Sequence, residues 1–339
     1  MVNNKRSMVN GQWSIISLAL VLVACTGKPK PVQVEAKSDY TPSPLTFCED
    51  SAYQYVAQQC SYGPRTMNSR AHDLCGDWIA GKFRSFGLEV CDQYADGRLY
   101  DGTKIRMRNI IASFRPELSD RIIISGHWDS RPWADNDDDE SKHTTPIDGA
   151  NDGASSIAIL LELARVLSIA TADTLSDTIS LPAIGIDFIC WDAEDSGTHG
   201  RFSSSTWCLG SQYWANHRHA PDYDARYGIN LDMVGSAQTV FCRETISMQY
   251  APTVVSRVWN IARQAGYGRY FLDTDGGEVT DDHVPLCRSG IPCIDIIGVD
   301  SEQGTFPRTW HTIDDNLDNI HRPTLKAVGQ TMLEVIFNN

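Results

Sequence analysis

The sequence predicts an α/β fold, a single domain built on a central, mostly parallel, twisted mixed sheet with helices on both faces. Three observations carry this expectation. Residues 121–125 form a run apolar without alternation, as expected of an interior strand, and 184–191 and 291–297 read as further central strands. Segments with apolar residues at helical spacing separate them, so strand and helix alternate over residues 46–339. The chain has 339 residues, of which 42% are apolar and 21% charged, enough for a large core and unlike a disordered composition.

The elements follow in order. Residues 1–24 read as a signal segment: Lys5 and Arg6 precede an apolar run, 15–23, too short to span a bilayer. Leu22-Val23-Ala24-Cys25 resembles the bacterial lipobox, which implies cleavage before Cys25 and lipidation of its thiol. Residues 25–45, with prolines at 29, 31, 42 and 44, read as an extended tether. The expected product is exported and lipid-anchored to a bacterial membrane, facing the periplasm.

In the expected domain, Asn68 is a candidate N-cap for a helix with apolar Ala71, Leu74, Cys75, Trp78, Ile79 and Phe83, stopped by Gly87. Strands are expected at 110–112, 121–125, 184–191, 227–231 and 291–297, and helices at 153–168, 251–265 and 322–336. The acidic run from Asp135 to Glu140 lacks the spaced ligands and glycine of an EF-hand and reads as a solvated loop.

Charge and cysteines bound the partners. Against 43 acidic residues stand 29 basic ones, a formal net charge of −14, which argues against nucleic acid as a partner. Nine cysteines follow Cys25, so at least one is unpaired, and with no CxxC the expected role for most is as small buried apolar groups.

The chemistry-bearing residues sit where strands end. Strand 121–125 runs into Gly126-His127-Trp128-Asp129, strand 184–191 into Asp192-Ala193-Glu194-Asp195, and strand 227–231 into Asp232. Asp152 stands just before the apolar helix, and Trp310-His311-Thr312 follows the last strand. Each has an ordinary role by itself; Asp152 alone could be a helix cap. Several acids and two histidines converging on one rim, however, call for a cation, and that donor set suits Zn²⁺ better than Ca²⁺ or a thiolate-selected metal.

These motifs, with Gly149-Ala150-Asn151-Asp152-Gly153-Ala154 between them, resemble in order the zinc aminopeptidase and glutaminyl cyclase superfamily over residues 50–339. The resemblance implies a zinc-exopeptidase-like fold, Asp152, Asp195 and His311 as zinc ligands, and Glu194 as general base. Its dizinc peptidases hold a second metal with residues matching His127 and Asp232, while its animal-type cyclases keep both residues with one zinc, so His127 is a second ligand or a structural residue. Asp281-Asp282-His283-Val284-Pro285 resembles the cyclase segment, where peptidases carry Ser at the first Asp, and Trp310-His311-Thr312-Ile313-Asp314-Asp315 resembles another cyclase segment. Two positions depart from the animal pattern: Asp195 stands for Glu and Leu286 for Phe.

The implied activity is glutaminyl-peptide cyclotransfer on peptides or proteins with N-terminal Gln, releasing ammonia. One zinc is expected, with Glu194, Asp232 and Asp281 in the proton and hydrogen-bond network and Trp310 and Trp207 as pocket walls. A core role for Trp207 stands beside that reading. The alternatives are a dizinc aminopeptidase and a non-catalytic binding module, the latter disfavoured by the intact Asp152, Glu194, Asp195 and His311. GxSxG, HExxH, Walker and Rossmann fingerprints are absent from the sequence.

Overall fold

The structure is a computed structural model that describes residues 40–171, 179–198 and 204–339. The expected signal segment, Cys25 and the tether as far as residue 39 lie outside the described residues.

The chain forms α1 (Glu49–Cys60), α2 (Arg70–Ser85), β1 (Glu89–Arg98), β2 (Lys104–Phe114), β3 (Arg121–His127), α3 (Ser155–Thr171) and β4 (Gly185–Trp191). There follow α4 (Leu209–Asn216), β5 (Gly228–Asp232), β6 (Thr239–Arg243), α5 (Thr245–Tyr250), α6 (Pro252–Gln264) and β7 (Phe271–Asp275). The chain ends with α7 (His283–Arg288), β8 (Cys293–Ile297), β9 (Val299–Asp300) and α8 (Arg322–Phe337). The main sheet has the order β1-β2-β4-β3-β5-β8. Strands β4, β3, β5 and β8 pair in parallel, and β1 and β2 add an antiparallel edge. A small sheet, β7-β6-β9, stands apart from it. The mixed, mostly parallel sheet expected from the sequence is therefore present.

Alternation along the strands sorts side chains onto two faces. Ile110, Ile122, Ile124 and Phe188 enter the large core with α3 and α8. Ile111, Ile123 and Ile189 enter a smaller core with Trp191, Trp214 and Leu286, under α4 and α7. Because both faces are covered, these strands read as unbroken apolar runs. The span Ala150–Thr171 is apolar enough to cross a bilayer, yet 83% of its most apolar stretch is buried inside the protein, and α3 is the central core helix.

Three differences from the expectations have clear causes. The N-cap of α2 is Ser69, whose Oγ accepts from the His72 N–H at 3.0 Å; Asn68 has φ +64° and donates instead to the Lys104 carbonyl. Helix α1 and strand β1 gave little apolar signal, since β1 is a half-exposed edge strand. Residues 40–45, tether-like in composition, already lie along α8, where Tyr40 Oη and the Ser43 N–H donate to Glu334. All nine described cysteines are unpaired, and five are buried.

Candidate active site

The adjacent parallel strands β4, β3 and β5 end side by side and deliver their last residues to one rim. His127 closes β3, Asp232 closes β5, and Asp192 to Asp195 form the turn after β4. Asp152 comes from the irregular turn leading into α3, Asp281 from the loop before α7, and His311 from the long connection to α8.

Local chemistry fixes each turn. Gly149 has φ +55°, and a Cβ there would fall 2.2 Å from the Asp152 carbonyl oxygen, so only glycine fits. Asp315 accepts the N–H groups of Asn151 (2.8 Å) and Asp152 (3.1 Å), pinning the turn before α3. Asp129 does the same for Glu194 (3.0 Å) and Asp195 (3.2 Å). Ala193, Cys208, Met233 and His311 all have left-handed φ, between +48° and +57°, so backbone strain concentrates around this rim.

Two metal-capable donor sets share Asp152. Asp152, Asp195 and His311 form one; His127, Asp152 and Asp232 form the other; within each, one donor atom per residue lies within 4.8 Å of the others. His311 Nε2 is 3.1 Å from Asp195 Oδ1 and 3.5 Å from Asp152 Oδ2, while Nδ1 faces Asp135 at 3.7 Å. His127 Nε2 lies 2.8 Å from Asp152 Oδ1 and 3.3 Å from Asp232 Oδ1, with Asp129 3.6 Å behind Nδ1. In both cases an imidazole aims one nitrogen at carboxylates and is backed by another, the arrangement that orients metal-binding histidines.

These residues fit a cation. Burial pushes the Asp195 and Asp232 carboxyls up to about 7, with neighbouring acids adding to it. Burial, with the Arg131 charge, lowers His311 to about 3, which keeps a lone pair on the ring. Burial would lower His127 too, but contacts with Asp129, Asp152 and Asp232 raise it well above the ordinary value. Asp195 Oδ2 is fully buried and has no hydrogen-bond partner. A divalent ion would satisfy that oxygen and offset the packed negative charge. Carboxylate and imidazole donors suit zinc, the metal expected from the sequence.

Glu194 stands beside these sets. Burial raises it well above the usual carboxylate range, and Asp195, Asp281 and Asp282 add to the rise against the opposing effect of His127. One Glu194 oxygen, one Asp281 oxygen and the Cys208 Sγ lie within 4.8 Å of one another. The Cys208 thiol contacts Glu194 Oε1 at 3.3 Å. Glu194 and Asp281 open onto a pocket of about 260 Å³, together with Asp152, Asp195, Asp232 and His311. Its wall includes both candidate tryptophans: Trp310 stacks on His311 at 3.9 Å, and Trp207 lies parallel to the same ring at 6.2 Å.

Every site residue expected from the sequence except Cys25 thus lies at this rim or lines this pocket. Trp207 is a pocket wall with the Arg131 guanidinium 4.9 Å over its ring, so of its two readings the structure favours the wall. The acidic run is more than a solvated loop: Asp135 backs His311, and Asp137 Oδ2 accepts the Ile313 N–H at 3.3 Å. Sequence reasoning missed the supporting carboxylates Asp129 and Asp315, although both lie inside quoted motifs. Phe306, Met233 and the 278–280 segment of the wall carried no signal.

The model of peptidase family M28 matches residues 109–336. The chain belongs to that family. It is similar to a solved glutaminyl cyclase of Bacteroides thetaiotaomicron, with 50% identity, a TM-score of 0.82, and 87% of this chain and 99% of that one covered. It is also similar to a solved leucine aminopeptidase precursor of the same organism, with 48% identity, a TM-score of 0.82, and 88% and 100% covered. The glutaminyl-peptide cyclotransferase of Bos taurus is 26% identical over 243 residues, 66% of this chain and 64% of that protein. The chain thus spans just under two thirds of the length of that curated relative. The zinc-exopeptidase-like M28 fold agrees with the architecture expected from the sequence.

Proposed function

We propose that this M28 protein is a zinc-dependent glutaminyl-peptide cyclotransferase that converts N-terminal Gln of peptides and proteins to pyroglutamate with release of ammonia. The observation that carries the reading is the approach of Asp281 to Glu194 beside the metal donors, and Asp281 opens the segment that resembles the cyclases rather than the peptidases. The resemblance to bacterial and animal glutaminyl cyclases supports it.

Asp152, Asp195 and His311 would hold the zinc, which when bound supplies Lewis-acid polarisation of the γ-carboxamide oxygen. The substrate's α-amine forms a bond to the carboxamide carbon, and the bond from that carbon to the amide nitrogen breaks. Glu194 takes a proton from the attacking nitrogen and returns one to the departing nitrogen, which leaves as ammonia; its raised proton affinity suits both halves. Asp281 accepts a hydrogen bond from the leaving amide nitrogen, and Asp232 shares the same carboxyl network. Trp310 and Trp207 close the pocket around a small side chain and exclude water, favouring the substrate's own amine over hydrolysis.

The segment preceding Tyr40 adds a second part to the reading: export, lipidation at Cys25 and tethering through residues 25–39 to a bacterial membrane on its periplasmic side. Support comes from the Leu22-Val23-Ala24-Cys25 sequence.

The second donor set, sharing Asp152, favours a competing reading as a dizinc aminopeptidase. Incubation of the zinc-loaded protein with Gln-Ala, followed by mass spectrometry and ammonia detection, separates them. Cyclisation gives a product about 17 Da lighter and free ammonia, the mass of the leaving group in the chemistry above. Release of free Gln and Ala, with about two zincs per chain, would overturn the proposal in favour of the peptidase.

A further inference from the structure

Behind Asp281 lies a column of buried polar groups that the reaction above does not use. His283 and Asp295 are fully buried or nearly so. His283 Nε2 lies 3.3 Å from Glu244 Oε2, and Nδ1 lies 3.7 Å from Asp295 Oδ2. Neither contact has the geometry of a finished hydrogen bond, and Asp295 Oδ2 has no other partner. The other Asp295 oxygen faces Asn230 Nδ2 at 3.4 Å, and the same nitrogen donates to Asp281 Oδ2 at 3.0 Å.

The direction of this column is fixed at both ends. The carboxyl oxygens of Asp281 and Asp295 draw the Asn230 NH₂ toward them, which leaves Asn230 Oδ1 to accept from Ser125 Oγ at 2.9 Å. Glu244 accepts the N–H groups of Ile246 (2.8 Å), Ser247 (2.6 Å) and Val279 (3.1 Å), the last from the segment that leads to Asp281. Burial would raise the Glu244 carboxyl, but His283 and those N–H groups hold it down, to about 2. The Glu244 carboxyl thus faces the imidazole from one side and the Asp295 carboxyl from the other.

We propose that His283 is a positioning residue for the cyclisation: it locks Asp295 against Asn230 and so fixes the carboxylate of Asp281 that receives the leaving amide. This rests on the cyclotransferase reading. A purely structural histidine tying α5 to β8 would occupy the same place, and the two roles differ in what they do to Asp281.

A double-mutant cycle on the zinc-loaded enzyme with a Gln-initiated peptide tells them apart. In the otherwise wild-type protein, His283→Ala lowers kcat by about tenfold or more while KM stays within about twofold. In an Asp281→Asn background the same substitution changes kcat by less than about twofold, because the group it positions is already disabled. Asp295→Asn, which keeps the shape and cuts the link, repeats both results and decides the matter if His283→Ala does not fold. Equal losses in both backgrounds, or a folded His283→Ala protein with unchanged kcat, overturn the proposal. A wild-type protein that releases no ammonia sinks the cyclotransferase reading instead, so the two failures are distinct.

Discussion

Replacing Glu194 with Gln isolates the proton-transfer step, because the amide keeps the size of the side chain and removes only its capacity to accept and return a proton. Glu194 is 8% exposed and opens onto the pocket, so no bulk water stands ready to take over its role. Positioned acid–base groups contribute about 10²- to 10⁴-fold, which is about 3 to 5 kcal/mol of barrier. A loss of kcat in that range is expected in a coupled ammonia assay with a Gln-initiated peptide, with KM nearly unchanged. Two further readouts separate chemistry from damage. Zinc content by atomic spectroscopy stays at the wild-type level, because Asp152, Asp195 and His311 are intact. The metal-free variant melts no lower than the wild type at pH 7.5. The sign follows from the raised proton affinity: a buried acid whose folded value lies above its unfolded one costs stability once pH exceeds the unfolded value, and Gln removes that cost. A folded variant retaining more than about a tenth of wild-type kcat would refute the assignment of Glu194 as the proton shuttle, and loss of zinc alongside activity would reassign it to the metal.

Gly329→Ala tests the packing of the N-terminal segment on α8. A Cβ there would sit 2.3 Å from the ring of Phe47, which is fully buried, so overpacking of about 1–3 kcal/mol outweighs the roughly 1 kcal/mol that alanine adds to a helix. The expected result is a Tm lower by a few degrees with kcat unchanged; an unchanged Tm would mean that Phe47 moves freely. Glu244 sets a pH dependence of stability. Its folded value, about 2, lies below the unfolded one, so its stabilisation is present above about pH 4.5 and is lost as pH falls toward 2. Urea unfolding should therefore show wild type and Glu244→Gln far apart at pH 7, with the gap narrowing below about pH 4.5 and closing only toward pH 2; a gap independent of pH would show that the charge of Glu244 contributes nothing.

The sheet was legible because its inner strands are covered on both faces, which leaves unbroken apolar runs such as Ile122-Ile123-Ile124. Edge strand β1 was not legible, since a half-exposed antiparallel strand mixes polar and apolar residues without a clean pattern. The donor residues were legible because parallel strands deliver their carboxyl ends to one rim, so His127, Asp195 and Asp232 could be read off the positions following each strand. Asp129, Asp315 and His283 escaped notice as supports because a residue that acts on a neighbour's backbone or side chain has no spacing rule of its own. Asp135, in a run that looked merely solvated, backs His311 only because two distant loops meet.

By itself the sequence determined the fold class, the donor types and their order along the chain, since each follows from local pattern and from the rule that strand ends gather ligands. Only the tertiary structure decided that Asp152 serves two donor sets at once, and that Trp207 is a wall of the pocket. It also decided that Asp281 meets Glu194 and stands in front of a buried histidine. The physical reason is distance along the chain. Asp152, Glu194, Asp281 and His311 come from separate connections whose meeting depends on how α3, α4, α7 and the sheet pack. Side-chain packing of that kind is a property of the whole core, which no local window of residues encodes.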